Sequence, residues 1–355
     1  MSGAQIPPSD VEQHYGPYDW PVSAAAEQQQ SSVSTDPCPI CFGTSARTRF
    51  VVDRLDSLIV ECKACGTARF FPALPSALVS TFYPSEYYGS TGEKFRPLVE
   101  ALVRTLAARQ AGFIARQIPL GGKVLDIGCG RGTLLSALAR QGFESHGFEL
   151  TANAALGLDP RIELRTGSDL REAAYPAQWF DAVVLWHVLE HLSDPRAVIQ
   201  EIHRVLRPGG LLVVAVPNYS SWQARWAGGD WFHLDVPRHL FHFPISAIKT
   251  LLASCGFACQ TSHHFSMRQN PFGWVQSALN KWGLGSRNAL YLSLHSAPLQ
   301  TPRPISATRH LWLRAAFLIW MPLGLFLSAL EALFRQGGTI HIVARRRSVP
   351  RSPLE

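Results

Sequence analysis

The chain is short of several things, and each shortage excludes something. It has no apolar leader: Met1 to Thr35 is polar, with Gln28-Gln29-Gln30 and scattered Ser and Pro. No signal peptide is therefore expected, and a cytoplasmic protein is. The same segment buries too little surface to offset the entropy of ordering, so disorder is expected over 1–35. No uninterrupted apolar run reaches the ~20 residues that span a bilayer. The nearest approach, Leu311 to Phe334, is uncharged from Ala315 to Leu330 but is interrupted by Pro322 and Gly324. Basic residues are not interleaved with aromatics in a long stripe, so the net charge of +7 does not indicate nucleic-acid binding. Cysteine is sparse, at seven residues, and four of them sit in two CxxC pairs. That usage suits a reducing compartment better than a disulfide framework.

What is present is enough for one large domain and one small one: 355 residues, 46% of them hydrophobic. The large domain is organised around Lys123-Val124-Leu125-Asp126-Ile127-Gly128-Cys129-Gly130-Arg131-Gly132. The apolar run reads as a buried strand, the glycines as a tight turn, and Thr133 to Ala139 as a helix. Strand, glycine turn and helix is a nucleotide-binding layout, because backbone without Cβ can approach a ligand closely. The dinucleotide fingerprint puts its third glycine three positions after the second. Here Gly128, Gly130 and Gly132 are evenly spaced, and Thr133 stands where that glycine belongs. Asp126 would also repel a pyrophosphate. It would attract a ligand carrying an ammonium and a sulfonium, which is S-adenosylmethionine. Asp126 with this glycine spacing resembles the first motif of the class I methyltransferases. A nicotinamide oxidoreductase is the lesser alternative.

The resemblance implies an α/β fold: a Rossmann-like, mostly parallel seven-stranded sheet whose last strand is antiparallel. The chain supplies the parts in order. Leu98 to Ile118 has helical spacing, and Glu144–Glu149, Arg161–Thr166, Phe180–Trp186 and Leu211–Val216 read as strands. Phe257–His264 reads as the sixth strand and Gly338–Ala344 as the antiparallel seventh. Glu149 closes its strand about 20 residues beyond the loop, where a carboxylate can accept both ribose hydroxyls. By resemblance, Asp169 with Leu170 meets the adenine, although an ordinary helix cap explains Asp169 as well. Cys129 belongs to the cofactor turn, and Trp186 and His187 flank the methionine part of the cofactor.

Upstream, Cys38-Pro39-Ile40-Cys41 and Cys62-Lys63-Ala64-Cys65 present two pairs of thiolates. Together they make the closed tetrahedral sulfur set that Zn2+ prefers, with no open position, so the site reads as structural. Arg49–Val52 and Leu58–Val60 are expected as two ribbon strands between them. The tyrosine-rich Tyr83-Pro84-Ser85-Glu86-Tyr87-Tyr88 follows. A zinc ribbon and a tyrosine-rich linker ahead of the catalytic domain resemble bacterial small-molecule and sugar methyltransferases. That resemblance makes Tyr87 or Tyr88 a cover for the cofactor; aromatic packing between domains is the plainer reading.

Two histidine-rich segments compete for the proton chemistry. His187-Val188-Leu189-Glu190-His191 matches the inverted zinc-protease pattern HxxEH. It follows a buried strand instead of lying within a long helix, so protease chemistry is rejected. His191 is the first candidate for general base, with Glu190 orienting it. Trp231 to Phe243, dense in ionisable and aromatic residues, is expected as the wall of the acceptor site, with His239 and Asp235 as secondary catalytic candidates.

The expected organisation is a tail (1–35), a zinc ribbon (36–72), an aromatic linker (73–97), a methyltransferase domain (98–346) with a helical insert (265–336), and a C-terminal tail (347–355). Both strands flanking the insert must join one sheet, which opposes a single membrane span. A helical lid or a membrane-surface helix over 311–334 is expected instead, with Arg303, Arg309, Arg314, Arg335 and Arg345-Arg346-Arg347 placed to meet anionic headgroups at the inner face of a membrane. The activity implied is methyl transfer from S-adenosylmethionine to a small molecule: a sugar, a lipid-linked acceptor or a quinone-like one. A non-catalytic adaptor, binding S-adenosylmethionine or using the ribbon alone, is the alternative.

Overall fold

The computed structural model describes residues 22–25, 32–52, 55, 57–75, 78–79, 82, 97–151, 157–294 and 307–348. Tyr87, Tyr88 and Arg303 lie outside the described residues.

Seven strands form the central sheet, in the order β12-β13-β10-β9-β6-β7-β8. They are β6 (Lys123–Ile127), β7 (Glu144–Glu149), β8 (Ile162–Thr166), β9 (Phe180–Trp186), β10 (Leu206–Pro217), β12 (Phe257–His263) and β13 (Thr339–Arg346). The pairs from β8 to β10 are parallel, and β13 runs antiparallel to both β10 and β12. This is the expected architecture, antiparallel last strand included. The inner strands are apolar and buried on both faces, as a sheet covered on both sides requires. Helix α1 (Pro97–Ala115) and α2 (Thr133–Ala139) cover one face; α3 (Pro195–Val205) and α5 (Ile245–Ser254) pack into the other core, where Ile199, Ile202, Ile248 and Leu252 are buried. The chain leaves β6 toward β7 and β8 and returns through β9, so the sheet reverses its winding between β6 and β9. Open α/β sheets bind ligands at such a reversal, beyond the carboxyl ends of the strands.

A second sheet carries the cysteines. Its core is β3 (Ser45–Val52), β4 (Leu58–Cys62) and β5 (Ala68–Phe71). Besides β5, three strands escaped the sequence reading. The N-terminal segment expected to be disordered contributes β1 (Val22–Ala24) and β2 (Ser32–Ser34), both paired to β3. Backbone pairing with β3 holds these short stretches, and Val22 packs against the core. The third is β11 (Phe241–His242), which comes from the catalytic part and pairs with β5. The ribbon and the catalytic part share one core, in which Cys38, Ile40, Phe50 and Phe70 join Leu185, Ile199, Phe243 and Ile248.

The insert between β12 and β13 is helical, as expected: α6 (Asn270–Lys281), α7 (Ala289–Ser293) and α8 (Ala307–Leu333). Pro322 and Gly324 do not interrupt α8, which runs through both for 27 residues. Pro322 faces outward, and Gly324 is a contact point: a Cβ there would lie 2.7 Å from the Pro271 carbonyl of α6. Helix α4 (Trp222–Ala227) sits beside α6.

Candidate active site

A cavity of about 940 Å³ opens at the carboxyl ends of β6 and β9. Asp126, Gly128, Cys129, Gly130 and Trp186 line it, together with Val103, Gln110 and Phe113 of α1. The first five are residues that the sequence assigned to the cofactor. Gly128 and Gly130 have φ of 68° and 50°, the left-handed region that glycine reaches without strain. At Gly128 space demands glycine too, since a Cβ would sit 2.4 Å from Val188 Cγ2. Gly132, also left-handed, is the N-cap of α2 and packs against Leu158. Arg131 is held by Glu100 of α1 at 2.9 Å, which ties the lead-in helix to the turn.

The electrostatics of this turn are unusual. Asp126 is buried, and burial together with the nearby negative charge of Glu149 pushes its carboxyl up to about 8. Glu149 Oε2 accepts from the Gly130 amide at 2.9 Å and Oε1 from the Leu150 amide at 2.8 Å. Burial raises its pKa as well, against those two hydrogen bonds. Two carboxyls held in one low-dielectric site disfavour each other's charge, and a cationic ligand relieves both.

Other expected cofactor residues are placed differently. Asp169 accepts from the Arg171 amide at 2.8 Å as an N-cap and is ion-paired with the Arg171 guanidinium, so the cap reading describes it here. Leu170 has its side chain in the core. His187 follows Trp186 with φ 57° and shares a 3.1 Å hydrogen bond between its Nδ1 and Glu190 Oε1. A non-glycine residue in that region marks a backbone over-determined by its surroundings.

His191 and His239, the expected bases, do not line the cavity. Their rings lie 4.6 Å apart in a buried seam between the central sheet and the ribbon. His191 Nδ1 donates to the Arg238 carbonyl at 3.1 Å and His239 Nδ1 to the His233 carbonyl at 2.8 Å. Burial lowers the pKa of both. Most of the expected acceptor wall, Trp231 to Phe243, belongs to this seam; Phe232 packs instead on the insert, its ring 5.1 Å from Phe272 and 5.5 Å from Tyr291. Trp231, Leu234 and Phe243 are core residues, and β11 closes the ribbon sheet. The reason is local: after β9 the chain enters a tight helical turn, Leu189–His191, which carries His191 away from the cofactor turn. The cavity's far wall comes instead from the ends of the insert: Ser262 to Arg268, Ala332, Arg335 and His341. His341 was missed. It lies on the seventh strand opposite Ala215 and His263, and its ring is 4.7 Å from Trp186. Its Nε2 has no hydrogen-bond partner, and burial lowers its pKa to about 3. The signal was available: an imidazole near the start of a strand antiparallel to β10 must emerge at the carboxyl end of β10.

The four ribbon cysteines converge. Cys38 and Cys65 Sγ are 3.7 Å apart, Cys41 and Cys62 Sγ 3.5 Å, and all four sulfurs lie within 4.8 Å of one another. A tetrahedral site with Zn–S bonds of 2.3 Å has edges of about 3.8 Å, so the thiols fit the ion. Gly66, at φ 74°, forms the second knuckle turn. Arg196, at the start of α3, grips the first knuckle: its guanidinium donates to the Pro39 and Ile40 carbonyls at 2.6 and 2.7 Å and stacks on Phe42 at 4.6 Å. Nothing in the sequence around Arg196 announced that contact.

Comparison with known proteins agrees with this geometry. Residues 97–262 match the family described as "Methyltransferase domain". The chain carries a class I S-adenosylmethionine-dependent methyltransferase domain. The chain is 31% identical over 165 residues to a ubiquinone biosynthesis O-methyltransferase of Cronobacter sakazakii, an alignment covering 43% of this chain and 65% of that one. It is 39% identical over 116 residues to the Xylella fastidiosa protein of the same name, covering 30% and 46%. The chain thus spans between about half and two thirds of these relatives. Among solved structures, a SAM-dependent methyltransferase from Archaeoglobus fulgidus superposes with a TM-score of 0.44 at 17% identity, over 68% of this chain and 94% of that one.

Proposed function

We propose that this protein transfers the methyl group of S-adenosylmethionine to a small, partly apolar acceptor of the lipid-linked or quinone-like class. The observation that carries the donor assignment is Asp126: a buried carboxyl beside Glu149, facing a cavity, whose raised pKa a cation would lower. The donor supplies that cation twice, as an ammonium and a sulfonium. The glycine turn would carry the methionine part and Glu149 the ribose hydroxyls. The sulfonium makes the methyl electrophilic and leaves as a neutral thioether, so the protein's work is alignment and removal of one proton from the acceptor.

The acceptor side is mixed in character. Phe265, Met267 and Trp186 are apolar; His263, His264, His341, Arg268 and Arg335 are polar. That suits a ring or chain with one ionisable hydroxyl better than a free sugar, and the ubiquinone O-methyltransferases are relatives by name. His341 replaces His191 as the favoured proton acceptor because it faces the cavity. The cysteine cluster would hold Zn2+ as a cross-link between the two knuckles, with no role in the transfer.

Calorimetry and a methyl-transfer assay on a catechol or hydroquinone acceptor test the reading. Binding of S-adenosylmethionine without binding of NAD, followed by turnover, is expected. NAD binding, or no turnover on any acceptor despite donor binding, would return the chain to the oxidoreductase or the adaptor alternative.

A further inference from the structure

Helix α8 has two faces, and both are apolar. The inner one, Leu313, Ala316, Gly324 and Ser328, is buried and packs on α6 and α7. The outer one leaves Leu311, Leu318, Ile319, Leu323, Phe326 and Leu333 exposed, Leu318 and Ile319 each at 72%. Scattered exposed leucines need no explanation, but a contiguous stripe along one long helix does. Beside it stands a tryptophan group. Trp320 is 5.4 Å from Trp282, Trp282 is 6.2 Å from Trp226, and Trp226 is 5.5 Å from Trp274. Lys281 lies over the Trp226 ring at 5.7 Å.

We infer that this face lies on an anionic lipid surface, with α8 in the plane of the membrane. Charge supports the occupant: Arg314 and Arg335 bracket the uncharged stretch Ala315–Leu330, Lys281 flanks the tryptophans, and the one acid of α8, Glu331, is turned inward. Aromatic rings with a polar edge are the residues that settle at headgroup depth, and basic flanks beside an apolar face are drawn to anionic lipid. Arg345 and Arg346 play no part, because they hydrogen-bond Gly209, Gln117 and Leu206 within the protein.

Thr308–Leu333, whose most apolar 18-residue window has a mean hydropathy of 1.8, is long and apolar enough to cross a bilayer. Its anchoring argues against crossing. Glu331 accepts from the Gln223 amide at 2.9 Å, from Gln223 Nε2 at 3.2 Å and from Trp274 Nε1 at 3.0 Å, and α8 returns directly into β13, the neighbour of β12. Ala332 and Arg335 at the end of α8 also line the cavity, so the active-site mouth opens beside the lipid face. An acceptor with an apolar tail would enter from there; this last point rests on the function proposed above.

Flotation of the full chain with vesicles tests the surface without reference to catalysis. Phosphatidylglycerol–phosphatidylcholine vesicles are expected to carry the protein, and phosphatidylcholine alone to carry about tenfold less. The double variant Leu318→Glu/Ile319→Glu is expected to stay unbound while binding S-adenosylmethionine as the parent does, which separates loss of the surface from loss of the fold. A parent chain that never floats, a double variant that floats equally well, or vesicle binding indifferent to lipid charge would each overturn the inference. So would a self-associating parent that ignores vesicles and becomes monomeric in the variant, since the face then belongs to a second copy.

Discussion

Two regions of this chain are crowded with buried ionisable groups, and only one of them is a cleft. At the end of β6, Asp126 lines a cavity, with Glu149 of β7 close beside it. Beyond β9, Glu190, His191, His239 and His242 are buried and burial displaces their pKa values too, yet the ribbon closes over them. Displaced pKa values mark functional sites only statistically, because a desolvated structural network displaces them too. The difference lies in partners. The seam's imidazoles mostly spend a nitrogen on a backbone carbonyl; Asp126 and His341 line the cavity, and the His341 Nε2 has no hydrogen-bond partner.

The largest effect should come from unfastening the seam's cover. Cys62→Ser leaves the zinc set incomplete, and structural zinc is worth roughly 10–16 kcal/mol in small fingers. Loss of bound zinc by mass spectrometry and a marked fall in melting temperature are expected. Because ribbon and sheet share a core, one cooperative transition should fall; a ribbon that melts alone, leaving the main transition unchanged, would break the comparison.

Asp126→Asn comes next. Removing the charge should weaken S-adenosylmethionine binding by at least about tenfold, or ~1.4 kcal/mol. It should not destabilise the empty protein. Asp126 has a folded pKa of about 8 against an unfolded value of 3.8, so the folded state holds the extra proton between those values. Its contribution is therefore lost as pH rises through that window, and the parent is less stable at pH 8 than the carboxyl-free variant on this account. Donor binding, which needs the charged form, should release a proton below pH 8 and tighten as pH climbs toward it. Calorimetry in buffers of different ionisation enthalpy reads that proton directly; zero uptake or release at pH 7 would contradict it.

The finest test compares two histidines. His341→Ala should lower kcat by about 10²–10⁴-fold, the usual worth of a general base, with donor affinity retained. His191→Ala should instead lower the melting temperature and spare kcat in the protein that remains folded. The opposite pattern would restore the base to the seam.

The main sheet was legible because its strands carry their own signatures. Val124 to Ile127 and Phe180 to Trp186 are apolar runs, and the glycine turn with Asp126 is a local pattern whose chemistry does not depend on what folds over it. The misread elements all depended on distant partners. Nothing in Val22–Ala24 or Ser32–Ser34 marks a strand until β3 is beside it. Nothing in Phe241-His242 says that β5 will accept it. His191 looked catalytic because position along the chain was used in place of direction in space, and a single turn of helix reversed the direction. The continuity of α8 through Pro322 was decided by packing on α6, which sequence reading priced only as a broken helix.

The pairing of β5 with β11 has a consequence for how the protein is made. The cysteine ribbon leaves the ribosome long before Phe241 and His242 exist, so its outer strand spends much of synthesis with an open edge. Unpaired edges invite neighbouring chains. With zinc on the four thiols as proposed, early capture of the ion would keep the nascent ribbon compact while it waits, and metal supply during translation would then govern the yield of soluble protein.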